Sequence, residues 1–328
     1  MTTAEWGWGQ SSARARWQIV VALSLGLLFL VSGPALAETE SDPIAEIEAA
    51  MAEAAETTGL GHPAMWKFSD EDTEIYLLGS IHVLKPGTTW RTPEMDAAFD
   101  ASDRVVFETR GESAEGPDDF MNLMFREGHF TDGTRLSSLL DDAEKQLVSD
   151  VLAEVGMPFA AVEGLKPWVV SLLAVLEFYE LEGYSSEYGV DSTYESAALE
   201  QGKQILALET GADAFEAIST GSQEDQVDDL VLMAKTQPIA AEYLEFSIRE
   251  WLDGDVVGQA AMDSDPSEND EWTDALLLDR NRKWLPQLIA FLDEPGTVFV
   301  VVGAAHLTSQ DNVINMLEAE GISVEGPF

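Results

Sequence analysis

EIYLLGSIH (residues 74–82) and TVFVVVGAAH (residues 297–306) share one pattern, and their reading decides the fold. Each is a β-branched or aliphatic run that closes in Gly-x-x-His, Gly79 to His82 and Gly303 to His306. Apolar runs of this length with no polar alternation read as strands buried on both faces, the habit of a parallel sheet. A glycine at a strand's end lets the backbone turn sharply or approach a neighbour closely. The histidine three residues on then stands at the carboxyl edge of the sheet, where ligands bind in open α/β folds. The chain has only 4 histidines, and two of them close this motif.

Working outward, Arg104 to Glu108 (RVVFE) and Gln204 to Leu208 (QILAL) read as two further strands, ending at Glu108 and Glu209. Pro63 to Asp72 reads as a short strand and an acidic turn, and Ile322 to Val324 as a last edge strand. Thr92-Pro93-Glu94 supplies a cap and an N1 proline for a helix reaching about Ser102. Residues 38–60 read as an amphipathic helix leading into the domain. Segments 134–155, 167–182, 189–201, 222–235 and 239–252 carry apolar residues at helical spacing. Ser264 to Asp270 is a polar loop, Glu271 to Leu292 a long helix with Pro286 expected to kink it, and Ser309 to Glu320 a last helix capped by Gly321. The expected fold is α/β: a mostly parallel central sheet flanked by helices, with a large helical insertion. No low-complexity linker divides it, so residues 38–328 are expected to form a single domain.

Residues 1–37 read as a cleaved signal peptide. Arg14 and Arg16 precede an apolar run from Ile19 to Val31, and Ala35-Leu36-Ala37 gives a small-x-small cleavage signature. The run is shorter than the ~20 residues of a membrane span. The expectation is a periplasmic or secreted protein with no stable membrane insertion after cleavage. A net charge of −44 repels nucleic acid and anionic membranes. With no cysteine there is neither a disulfide nor a thiolate nucleophile or metal ligand. A metal site must then use His, Asp, Glu and water, which suits manganese, zinc, cobalt or iron.

Parallel strands would bring His82, Glu108, Glu209 and His306 to one edge. Two imidazoles with one or two carboxylates form a recurring hydrolytic metal site, in which bound water is activated near neutral pH. His82, Glu108 and His306 are the candidate ligands of a divalent metal (manganese, cobalt or zinc), and Glu108, Glu209 and Arg280 the catalytic candidates. Arg280 and Asn281 stand among apolar residues, Leu276 to Leu278 and Trp284-Leu285, and a semi-buried arginine usually has a carboxylate or phosphate-like partner. Taken singly, Glu108 also fits a salt bridge and Glu209 a helix-capping role. His62 and His129 lack the strand-glycine context. HExxH, GxSxG and Walker motifs are absent from the sequence.

Several elements together resemble the TraB/GumN family, related to the TIKI-type proteins. They are Leu77-Leu78-Gly79-Ser80-Ile81-His82-Val83-Leu84, Phe107-Glu108, Lys166-Pro167-Trp168, Gly189-Val190-Asp191, Gly202-Lys203, Leu208-Glu209-Thr210, Trp251-Leu252-Asp253-Gly254-Asp255, Arg280-Asn281 with Trp284, and Val302-Gly303-Ala304-Ala305-His306-Leu307. The ordered set spans about residues 64–325. Ala305 and Ser309-Gln310 depart from the pattern, where glycines are common. The resemblance implies a fold like that of the erythromycin esterase and ChaN proteins, with the two Gly-x-x-His motifs and a glutamate as a metal and catalytic centre. TIKI-type relatives are metal-dependent proteases, which implies a metal-dependent hydrolase acting on a peptide or other small substrate. Two alternatives stay open: a non-catalytic protein binding a peptide or haem, and a metal-free ester hydrolase with His82 or His306 as general base. Substrate, metal identity and oligomeric state are not fixed by the sequence.

Overall fold

The computed structural model describes residues 42–109, 120–262 and 271–328. The expected signal peptide and the loop from Ser264 to Asp270 lie outside the described residues. Six strands form one sheet: β1 Met65–Ser69, β2 Thr73–Ser80, β3 Arg104–Phe107, β4 Gln204–Ala207, β5 Gly296–Gly303 and β6 Val324–Glu325, in the order β4-β3-β5-β2-β1-β6. Strands β4, β3, β5 and β2 run parallel, while β1 is antiparallel to both β2 and β6. The fold is α/β with a mostly parallel sheet, as expected.

The two Gly-x-x-His strands are the central neighbours of that sheet. In register, Gly79 faces Val302 and Ser80 faces Gly303. Their side chains alternate between two cores. Ile75 and Leu77 of β2, Val106 of β3 and Val298, Val300 and Val302 of β5 pack on one face with Trp284, Leu288, Val313 and Leu317. Leu78, Val105, Phe107, Phe299 and Val301 enter the larger core on the other face. Because both faces are covered, these strands read as unbroken apolar runs. β4 ends the sheet and is only half-buried.

Side chains cap several helix starts, the one at Thr92 as expected. Thr92 Oγ1 accepts from Met95 N ahead of Pro93–Ala101, and capping boxes open Asp142–Glu154 at Asp141 and Gln223–Thr236 at Ser222. Within the expected 38–60 segment the described helix is Pro43–Ala54. The 134–155 segment resolves into a short 3-10 turn, Leu136–Ser138, and the helix Asp142–Glu154. The last helix is Val313–Ala319, preceded by a four-residue turn Ala305–Thr308 that carries His306. The expected edge strand lies later, at Val324–Glu325. The long helix passes through Pro286 to Ala290, and its irregularity sits upstream as a π-helical segment, Asp274–Leu278, whose widened turn lets Asp279 N–H donate to Asp274 O. Sequence periodicity does not mark the short helices Phe120–Glu127 and Val256–Met262. The former packs with Trp168, Ala217, Trp272 and Leu276 in a third apolar cluster. Among the described residues no helix is long and apolar enough to cross a membrane.

Candidate active site at the carboxyl edge of the sheet

Strand order turns into site order. Glu209 follows β4, Glu108 follows β3, His306 follows β5 and His82 follows β2, so the four expected groups stand side by side along one edge. Arg280 joins them from the helix Asp279–Ala290. All five expected residues therefore meet. His82 is 3%, His306 1%, Glu108 7% and Arg280 7% exposed, which places their mutual electrostatics in a low-dielectric setting.

Glu108 is the hub. Its Oε1 accepts the Gly303 backbone N–H at 2.6 Å, and its Oε2 accepts Arg280 Nη2 at 2.5 Å. The same Oε1 lies 3.9 Å from His82 Nε2 and 3.8 Å from His306 Nε2. Burial opposes its charge, but Arg280, His306, His82 and the Gly303 N–H together hold its pKa well below the usual carboxylate range.

Arg280 spends every donor inside the protein. Nε and Nη2 grip Glu209 at 3.0 and 2.7 Å, Nη2 also reaches Glu108, and Nη1 donates to Leu276 O and to His306 Nε2, both at 3.1 Å. These contacts account for all five guanidinium N–H groups. Arg280 thus steadies both carboxylates, and it keeps no N–H for a reaction oxyanion. Trp284 lies beneath, its ring 4.8 Å from the guanidinium carbon, and its Nε1 donates to Glu209 Oε2 at 3.1 Å. Burial raises the pKa of Glu209, with Arg280 working against it.

The two histidines are oriented by different partners. His82 Nδ1 lies 2.6 Å from Asp191 Oδ2, while Ser80 Oγ donates to Asp191 Oδ1 at 3.1 Å. His306 Nδ1 lies 2.7 Å from Asn281 Oδ1, and Asn281 Nδ2 donates to Asp311 O at 3.0 Å, which fixes which way the amide faces. These networks assign the proton of each ring to Nδ1 and the lone pair to Nε2. Burial works against charging His82, but Asp191 and then Glu108 outweigh it and raise the pKa. For His306, burial and then the Arg280 charge push the pKa down to about 3. His82 Nε2 is buried and has no hydrogen-bond partner among the described residues.

Asp191 escapes sequence reasoning as a site residue. It starts the helix Val190–Gln201, far from the strands in sequence, and is delivered by a close backbone approach. Val190 N donates to Ile81 O at 3.0 Å, and a Cβ added at Gly189 would collide with the His82 carbonyl oxygen. The one available signal was the Gly189-Val190-Asp191 element itself, which carried no chemical role. Asn281 was marked beside Arg280, without its tie to His306. The departure at Ser309-Gln310 leaves His306 in place, and the following Asp311 supplies the carbonyl that orients Asn281. His62 and His129 lie elsewhere: His62 Nδ1 is 3.2 Å from Pro63 O, and exposed His129 pairs through its backbone with Leu165.

The expected metal ligands are chemically suitable donors: two imidazole nitrogens, each within 4 Å of one carboxylate oxygen, with the His306 lone pair taken up by Arg280. Among the described residues no three His, Asp or Glu groups are already drawn into ligating geometry. The separations of 3.8 and 3.9 Å to Glu108 Oε1 exceed the about 3.0–3.4 Å at which donors on ~2.1 Å bonds to one ion stand apart. A contraction of about half an ångström would bring each histidine nitrogen within that range of Glu108 Oε1, so the chemistry of the donor set suits a divalent ion once His306 is free of Arg280.

The chain is thus an α/β protein with two histidines and two glutamates at the carboxyl edge of its sheet. The TraB/PrgY/gumN family model matches residues 64–326, and the chain belongs to that family. Comparison with curated proteins and with solved structures gives no match.

Proposed function

We propose that the protein is a metal-dependent hydrolase, acting on peptides, in which His82, Glu108 and His306 hold a manganese, cobalt or zinc ion. One observation carries the reading: both Nε2 atoms face the same Glu108 oxygen, and each ring donates its Nδ1–H to an outer oxygen, of Asp191 or Asn281. Metal-ligating histidines are built in this way, with the far N–H fixing tautomer and ring plane. When bound, such an ion lowers the pKa of a water and polarises the scissile carbonyl. The chain's own groups do the rest. Asp191 and Ser80 hold His82, Asn281 holds His306, and Arg280 locks Glu108 against Glu209. The peptide substrate rests on the resemblance to TIKI-type proteases. The proposal also places the protein outside the cytoplasm, on the strength of the basic, apolar and small-residue order in residues 1–37.

A second reading has its own observation. The Asp191–His82 contact leaves a buried Nε2 lone pair aimed into the site, the arrangement of a general base acting on water without metal. Metal content separates the two. Residues 38–328 and the H82A/H306A double variant, loaded and dialysed together, should differ by about one ion per chain. Equal content in two folded proteins sinks the metal reading, and chelator-insensitive hydrolysis then favours His82 as base.

A further inference from the structure

We infer that Arg280 is a resident counter-cation that a metal must displace from His306, so that this arginine sets how tightly the site takes a divalent ion. The inference rests on the metal reading above and assigns the site a regulation of its own. Its ground is the difference between the two histidines. His82 Nε2 has no hydrogen-bond partner among the described residues, whereas His306 Nε2 accepts Arg280 Nη1 at 3.1 Å. A neutral imidazole carries a single in-plane lone pair on that nitrogen. An N–H and a metal cannot share it, so ligation by His306 breaks the contact.

The guanidinium can let go of His306 without leaving the site. Its Nε and Nη2 remain bidentate on Glu209, and Nη2 remains on Glu108 Oε2, the oxygen turned away from the histidines. Because the guanidinium is rigid and planar, Nη1 does not move alone: the plane tilts about its Glu209 contacts or the His306 ring draws back, and the second contact of Nη1 is the Leu276 carbonyl, in the π-helical segment Asp274–Leu278. Widened turns of this type recur at functional sites. Without metal, the arginine neutralises two buried carboxylates that repel each other. With metal, it is a positive charge beside a dication, which weakens uptake. The site is thereby kept folded while empty, at the expense of affinity.

The test compares the wild-type protein with R280K, which keeps a positive charge near Glu108 and Glu209 but cannot span to His306. Binding of manganese(II) is followed by electron paramagnetic resonance. H306A serves as the reference, because the acidic surface takes up ions elsewhere. Removing a charge-assisted competitor should tighten the His306-dependent manganese site about tenfold or more in R280K. The melting temperature of metal-free R280K should fall, and manganese should restore more of it than in wild type. Equal or weaker His306-dependent affinity in folded R280K overturns the inference while the metal reading stands. Equal uptake by wild type and H306A overturns both. Should R280K not fold, wild type labelled with nitrogen-15 arginine gives the same decision. Bound zinc(II) should shift the buried Arg280 guanidinium resonances, and bound zinc with unshifted resonances rejects the displacement.

Discussion

His306 Nδ1 lies 2.7 Å from Asn281 Oδ1, and this amide, not a carboxylate, sets the tautomer of the second histidine. The choice has an electrostatic consequence. Asn281 satisfies the ring N–H without adding negative charge, so burial and Arg280 keep His306 neutral, with its pKa down at about 3. His82, held by a carboxylate, moves the other way. One site therefore contains two histidines that point at the same glutamate oxygen and differ in their tolerance of a proton.

Asn281→Asp should erase that difference. A carboxylate at this position favours the imidazolium, so the His306 pKa should climb from about 3 toward the ordinary histidine range. Histidine proton resonances followed against pH in the metal-free protein measure it directly. A His306 that still resists protonation down to pH 4 would show that burial and Arg280 control the ring whatever its Nδ1 partner.

Gly189→Ala should destabilise the fold and detach Asp191 together. Gly189 has an ordinary extended backbone, with φ −62° and ψ 158°, so the penalty is one of space: the new Cβ meets the His82 carbonyl oxygen. A clash with backbone at a buried position costs about 1–3 kcal/mol or more. The urea midpoint should fall, and the His82 ring signals should lose the signature of a carboxylate partner. An unchanged midpoint would mean that the 189–191 segment shifts aside freely.

How much of this was legible follows from which rule placed each residue. His82, Glu108, Glu209 and His306 were readable because each ends an apolar run, and parallel strands send their ends to one edge. Arg280 was readable from charge set among leucines and a tryptophan. Asp191 was not, because its place depends on a glycine's backbone passing the His82 carbonyl, a tertiary contact with no local period. The π-helical segment was hidden for a different reason: four of the five residues of DALLL are good helix formers, and nothing in the local pattern marks the wider turn. The short helix Val256–Met262 is likewise set by contact, since it packs on Pro43–Ala54 and on the turn carrying His306.

Asp191→Asn should keep the fold and lose the site. An amide can present its N–H₂ to His82 Nδ1, which drives the ring proton to Nε2 and blocks the lone pair that faces Glu108. Loss of such an outer partner typically lowers metal affinity or activity about 10–100-fold. Far-ultraviolet circular dichroism should be unchanged, and Ser80→Ala, which removes only the support to Asp191 Oδ1, should have a milder effect. Full metal uptake by a folded Asp191→Asn protein would refute the positioning role.

Glu108→Gln should make metal-free stability less dependent on acid. In the native protein the Glu108 pKa is depressed by Arg280, both histidines and the Gly303 N–H, against the cost of burial. A depressed native pKa means that the unfolded state binds the proton first. The contribution is then fully present above the unfolded glutamate pKa of about 4.3, and it is lost as pH falls below that value toward the native pKa. Glu108→Gln removes this part of the acid limb. The variant also leaves Arg280 facing one carboxylate instead of two, and breaking a buried charge pair costs about 3–5 kcal/mol. Urea unfolding at pH 7 should therefore show a large loss, while between pH 5 and pH 3 the variant should lose stability with a shallower slope than wild type. Parallel acid limbs would mean that Glu108 is already protonated in the native protein, and its role as the charged hub of the site would fall.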